Sequence, residues 1–182
     1  SVPAAFGARP LFEADMLVRV KDAAINQAST PYEVLQHIDQ VIPFIELPDL
    51  VVQAPAQLNG PGVAAINVGA RLGVAGQPIA VPATRGERYA LLDALERMQV
   101  QLTNNQGQLL ASGKGSDILG QPLNAVVWIA QALQKDGITL QPGDLISLGS
   151  FSPLRPPRPG LSVTASYVGL PGAQPVQVHF KQ

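Results

Sequence analysis

The sequence predicts a single β-rich α+β domain, and three observations carry that expectation. Seventeen Gly and seventeen Pro are spread along 182 residues, so regular elements are short and turns frequent, which favours strands over a helical bundle. Several segments alternate apolar and polar residues with the period of a strand. The clearest helical stripe is confined to one segment, near residues 122–137. A chain of this length can bury a proper core as one domain, residues 1–182.

In chain order, Leu11 to Val20 reads as a strand, which turns Glu13 and Asp15 to one face together with Leu11, Leu17 and Arg19. Thr30-Pro31-Tyr32-Glu33 has a hydroxyl at the N-cap, proline at the first helical position and Glu at the third, a capping box that opens a helix to about Gln40. Val41 to Leu47 is apolar except for Glu46, and Pro48 stops it, giving a short buried strand that ends at Asp49. Residues 59–76 are rich in small residues and predict a turn, a short helical piece and a strand through Arg71–Val74.

A helix is expected from about Arg85 to Asp93, followed by a hairpin. Its strands, Leu95 to Thr103 and Gln108 to Lys114, flank Asn104-Asn105-Gln106-Gly107, whose residues tolerate positive φ. Pro122 at a start, Ala125, Val126, Ile129, Ala130 and Leu133 at helical spacing and Gly137 beyond the end define the next helix, with Trp128 read as core packing. Three late strands follow, Asp144 to Ser150, Leu161 to Val168 and Val176 to Phe180. The proline-rich stretch Pro153 to Gly160 is too short to divide domains and reads as an extended surface crossing.

Charge excludes several functions. Twelve Lys and Arg against thirteen Asp and Glu give a net charge of −1 with no basic stripe, so nucleic acid is not the expected partner. No apolar run approaches the roughly 20 residues needed to span a bilayer, so no membrane partner is expected. The absence of cysteine removes disulfides, thiolate catalysis and Cys-ligated zinc, and leaves a cytoplasmic or a periplasmic or secreted location equally open.

The constellation that could carry chemistry is Glu13, Asp15 and Glu46. Two acids at i and i+2 on a strand converge, and a third inside an apolar run resists lone burial, which costs several kcal/mol per unpaired charge. A shared cation resolves this, and an all-oxygen donor set suits Mg²⁺ or Mn²⁺ better than zinc. The competing reading pairs these acids with arginines such as Arg19 or Arg71. His37 and His179 stand alone without ligand spacing and read as surface or satisfied histidines. Ser150 and Ser152 follow Gly149 without a nucleophile elbow, so they suit ligand binding rather than attack. Gly113-Lys114-Gly115-Ser116 and Gly69-Ala70-Arg71-Leu72-Gly73 lack nucleotide-binding spacings.

Phe12-Glu13-Ala14-Asp15-Met16 resembles the Glu-x-Glu metal motif of the fumarylacetoacetate hydrolase superfamily, and Ile42 to Asp49 resembles its Pro-x-x-Glu-x-x-Asp segment. Leu119 to Pro122, Asn124 to Trp128, Gln141 to Asp144 and Gly149-Ser150 are similar to its 2-keto-4-pentenoate hydratase and 4-oxalocrotonate decarboxylase branch. The resemblance implies a mixed β-roll or sandwich with a few flanking helices, and Mg²⁺ or Mn²⁺ on Glu13, Asp15 and Glu46. It further implies Asp49 as acid/base or water-positioning group, and Asn67 and Ser150 at the substrate.

The implied activity is that of a lyase on a small enolisable 2-oxo acid, hydratase-like. A decarboxylase, an acylpyruvate C–C hydrolase and a non-catalytic ligand-binding homologue are the alternatives, and a homo-oligomer is a family expectation. The chain departs from the family pattern at Asp15, where the second metal residue is usually Glu, at Leu50-Val51, where Ser-Arg is common, and at Val68. Family hydratases also carry several dozen residues before the first metal motif, so a segment with a substrate-reaching lysine is expected upstream of Ser1.

Overall fold

A computed structural model describes residues 1–182. Ten strands form two five-stranded sheets packed face to face, with four helices at their margins. The first sheet centres on β2 (Glu13–Val20) and β3 (Ile38–Leu47), paired antiparallel with Glu13 opposite Glu46 and Asp15 opposite Phe44. β8 (Leu145–Ser147) lies outside β2, while β4 (Leu72–Ala75) and β5 (Ile79–Ala80) share the outer edge of β3. The second sheet runs β1 (Val2–Pro3), β10 (Val176–Lys181), β9 (Ser162–Val168), β6 (Gln99–Asn104) and β7 (Leu109–Lys114), parallel only at β1–β10.

The period of two decides what is buried between the sheets. Ala14, Met16, Val18 and Val20 of β2 meet Val100 and Leu102, Val163, Ala165 and Tyr167, and Val176, Val178 and Phe180 from the opposing sheet, all of them buried. Phe12 and Phe180 close one end with ring centroids 5.5 Å apart. β2 therefore sends its even residues into the core and its odd residues, Glu13, Asp15, Leu17 and Arg19, to the other face, as the alternation predicts. Pro43 is tolerated inside β3 because it falls between the β4 pairing, which begins at Phe44, and the β5 pairing, which ends at Val41, where no N–H is required.

The helices are α1 (Pro31–His37), α2 (Gly60–Ala65), α3 (Arg85–Arg97) and α4 (Asn124–Lys135). The capping box of α1 forms in full: the Glu33 N–H donates to the Thr30 hydroxyl at 3.2 Å, and the Glu33 carboxylate accepts the Thr30 N–H at 3.2 Å. The helix stops three residues earlier than expected. Lys21 N–H takes the His37 carbonyl at 2.8 Å, and Ile38 turns extended to pair with Val20, so cross-strand pairing overrides the local pattern.

α3 is longer than expected, because Leu91 and Leu95, one turn apart, both bury against the core and carry the helix to Arg97; the hairpin strand therefore begins at Gln99, not Leu95. The hairpin turn itself forms as read, with Asn104 Oδ1 accepting N–H groups of Gln106 and Gln108 at 2.9 Å and Gly107 at φ 75°. Trp128, expected in the core, is 63% exposed on α4, whose buried face is Val126 and Ala130. The second and third late strands form where expected, as β9 and β10, but the first, β8, is only three residues long. No helix is long and apolar enough to cross a membrane.

Candidate metal centre

The odd face of β2 is covered by the chain that follows β8, and this covering buries carboxylates. Asp15 is fully buried and Glu13 is 8% exposed. Three donors reach Asp15: the Ser147 hydroxyl, the Met16 N–H at 2.6 Å and the Gly149 N–H at 3.1 Å. The Ser150 hydroxyl donates to Glu13 at 2.6 Å. Ser152 has a different task, accepting the Ala14 N–H at 3.0 Å on the edge of β2. Glu46 stands opposite Glu13 in register, and its charge is near enough to raise both Glu13 and Asp15.

The electrostatics follow from burial. Desolvation, then the neighbouring carboxylates, push Asp15 and Glu13 up to about 7 despite the hydroxyl donors. Burial also raises Glu46. No Lys, Arg or His forms an ion pair with any of the three. Arg19 pairs instead with Asp39 at 2.7 Å and Arg71 lies 3.8 Å from Asp49, so the arginine pairing weighed as the alternative does not form at these acids.

The donor chemistry, oxygen throughout and partly buried, fits a hard divalent cation. The side chains are nevertheless not drawn into a ready arrangement of three ligands. Without a cation, neighbouring carboxylates repel, and serine hydroxyls and backbone N–H groups satisfy Asp15 and Glu13.

Asp49 is buried, at 3% exposure, but its carboxylate accepts the N–H groups of Ala8 at 3.1 Å and Arg9 at 2.7 Å. It thereby clamps the segment before β2. Gly7 permits the approach, since a Cβ there would fall 2.2 Å from Asp49 Oδ2. Asn67 is exposed in a turn where Asn67, Val68 and Gly69 all have positive φ, and it does not line the cleft described next.

Glu46 and Ser147 open into a cleft of about 390 Å³ whose other walls include Leu17, Phe44, Arg71, Leu72 and Leu145. The three other hollows of the molecule contain none of the three acids. Sequence reasoning missed Ser147, the Gly149 N–H and Tyr167. The Tyr167 hydroxyl crosses from the second sheet to the β2–β3 ladder, accepting the Phe44 N–H at 3.1 Å, donating to the Phe44 carbonyl at 2.8 Å and touching the Asp15 carbonyl. No local signal marks these contacts, which join residues more than 100 positions apart.

No protein-family profile matches the chain. It is 29% identical over 161 residues, 88% of its own length, to a 2-keto-4-pentenoate hydratase of Paraburkholderia xenovorans, and spans 56% of that relative. Over a shorter stretch, 61 residues, it is 41% identical to a 2-hydroxyhexa-2,4-dienoate hydratase of Comamonas testosteroni, spanning 23% of it. Thus the chain spans about half the length of the first of these relatives.

Among solved structures, a 4-oxalocrotonate decarboxylase from Pseudomonas putida G7, complexed with magnesium and adipate, superposes with a TM-score of 0.83 at 24% identity, over 98% of this chain and 63% of that one. A yeast fumarylacetoacetate hydrolase family protein superposes with a TM-score of 0.65 at 16% identity, over 97% of this chain and 69% of that one. The chain is thus similar in sequence to a 2-keto-4-pentenoate hydratase over most of its own length, and it shares its two-sheet fold with a 4-oxalocrotonate decarboxylase and a fumarylacetoacetate hydrolase family protein.

Proposed function

We propose that this chain is the metal-binding catalytic domain of a hydratase-type lyase that acts on small enolisable 2-oxo acids, with Mg²⁺ or Mn²⁺ held by Glu13, Asp15 and Glu46. One observation carries the reading: Glu13 and Asp15, raised to about 7 chiefly by burial and further by the Glu46 charge, have no cationic side chain to pair with. Such an arrangement is costly for an unliganded protein and suits a divalent cation. The decarboxylase it resembles was solved with magnesium, and the sequence relatives are named hydratases.

When bound, the ion would stabilise the enolate that forms as a proton leaves the carbon beside the ketone. The chain's own residues prepare for this. Ser147 and Ser150 hold the Asp15 and Glu13 carboxylates on the odd face of β2, and Ser150, one of the two proposed substrate-binding residues, does so by donating to Glu13. Asn67 would serve the substrate only from the turn before β4. Asp49 is proposed as the acid/base or water-positioning group, and to act so it releases the Ala8 and Arg9 N–H groups that now hold it.

A decarboxylase remains the second reading, favoured by the structural likeness to 4-oxalocrotonate decarboxylase. Calorimetric titration of Mg²⁺ and Mn²⁺ into the wild-type chain and Glu46→Gln tests the centre. Saturable binding by the wild type that is lost in the variant supports it, and no binding by the wild type removes it.

A further inference from the structure

We infer that Arg155 and Arg158 form a second ligand site, apart from the carboxylate centre, that binds small dicarboxylates with a short hydrocarbon chain. The inference stands independently of the metal-centre reading. Of the eight arginines in the chain, six are engaged within the protein. Arg9, Arg71 and Arg88 donate to backbone carbonyls, Arg19 and Arg97 pair with Asp39 and Asp93, and Arg85 donates to the Tyr89 hydroxyl. The guanidiniums of Arg155 and Arg158 have no protein partner, and both residues line one hollow of about 310 Å³ on which no acidic residue stands. Like charges around one hollow repel, and an anion between them relieves that repulsion.

The strap that carries them is stiff. Pro156, Pro157 and Pro159 fix φ, and Arg155 and Arg158, each followed by a proline, favour extended backbone. In a polyproline-type segment three residues make a turn, so positions i and i+3 project to one side, about 9 Å apart along the backbone. Arg155 and Arg158 have that spacing. Both ends are tied down: Arg155 exchanges backbone hydrogen bonds with Phe12 at 2.8 and 3.0 Å, and the Leu161 and Gly160 N–H groups donate to the Arg158 and Phe180 carbonyls at 3.1 and 2.7 Å. Little backbone freedom is lost when the two arginines close on a ligand.

Spacing and lining define the ligand. Two planar forks rooted about 9 Å apart suit two carboxylates at the ends of a short chain better than the single centre of a phosphate. Phe12, Leu110, Pro156 and Leu161 supply apolar walls for the chain between them, while the Asn104 side chain is committed to its own turn through Gln106 and Gln108. Small-molecule sites run to about 300–1,000 Å³, and this hollow stands at the lower end, so the ligand is small. Phe12 and Glu13 are successive residues of extended chain and point to opposite faces, which keeps the hollow apart from the three acids, none of which lines it.

The test is calorimetric titration of glutarate into the metal-free chain, in which the carboxylate centre repels anions and gives no competing signal. Wild type is compared with Arg155→Gln, Arg158→Gln and, as a control for surface charge, Arg85→Gln, with thermal melts to confirm folding. Pentanoate and inorganic phosphate are titrated into the wild type alongside. The expected result is saturable glutarate binding by wild type and Arg85→Gln, a loss of about 10-fold or more in each strap variant, and weaker binding of pentanoate and phosphate by a similar factor. No saturable glutarate binding by the wild type overturns the site. Undiminished affinity in either strap variant, or an equal loss in Arg85→Gln, overturns its assignment to Arg155 and Arg158. Pentanoate or phosphate bound as tightly as glutarate overturns the ligand class. Should a strap variant not fold, Arg155→Lys and Arg158→Lys decide, since lysine keeps the charge but not the fork, and undiminished glutarate affinity then counts against the site.

Discussion

Replacing Glu46 with Gln should stabilise the metal-free protein and destabilise it relative to wild type once Mg²⁺ is present, a reversal of sign that ordinary packing defects do not produce. Asp15 is raised from 3.8 to about 7 and Glu13 from 4.5 to about 7, chiefly by burial. A carboxyl whose folded pKa lies above its unfolded value contributes most to stability below the unfolded value, and loses that contribution as pH rises through the folded one. Metal-free wild type should therefore lose stability between about pH 4 and pH 7 and be flat above it.

For Asp15 the ceiling on that loss is about 4 kcal/mol at 1.36 kcal/mol per unit. Most of it is desolvation, which Glu46→Gln leaves in place. Removing the neighbouring charge recovers only the coulombic share, which ranks well below desolvation and is on the order of 1–2 kcal/mol of that ceiling. The variant should thus exceed wild type by about 1–2 kcal/mol at pH 8 in chelator and match it near pH 4. Saturating Mg²⁺ should add about 2.7 kcal/mol to wild type at 100 times Kd and little to the variant. Urea unfolding followed by circular dichroism, at pH 4.5 to 8.5 with chelator or with Mg²⁺, reads every arm. A metal-free wild type whose stability does not change over that range, or a variant weaker than wild type at pH 8 in chelator, would refute the reasoning.

Two further predictions concern the supports of the site. Tyr167→Phe removes the hydroxyl that serves the Phe44 N–H and carbonyl from the opposite sheet, and the buried groups left unpaired should cost about 1–3 kcal/mol in urea unfolding; a loss below about 0.5 kcal/mol would show that the ladder closes without it. Gly7→Ala places a Cβ 2.2 Å from Asp49 Oδ2 and should displace the N-terminal segment at a cost of about 1–3 kcal/mol, seen as faster proteolysis within the first ten residues. Unchanged cleavage there would mean that the Asp49 clamp adjusts freely.

Legibility followed the range of the physics involved. The facing of Glu13 and Asp15, the α1 capping box, the Asn104 turn and the alternation of the late strands each depend on a few adjacent residues, and each is read directly from side-chain type and spacing. The same local reasoning overran α1 by three residues and cut α3 short, because Ile38 is claimed by Val20 across the sheet and Leu95 by the core. Trp128 misled for a related reason: apolar character says that a residue can be buried, while the packing of Val126 and Ala130 decides which face of α4 is.

By itself, then, the sequence determined a β-rich domain and two acids side by side on β2, with a third carboxylate inside the apolar run of β3. Only the tertiary structure decided that Glu46 stands opposite Glu13, that Ser147, Gly149 and Ser150 close over the pair, that Asp49 clamps the segment before β2, and that Arg71 faces the cleft. Those relations join strands and loops far apart in the chain. Their register is set by which buried surfaces fit together, and that is a property of the whole assembled core rather than of any stretch of residues.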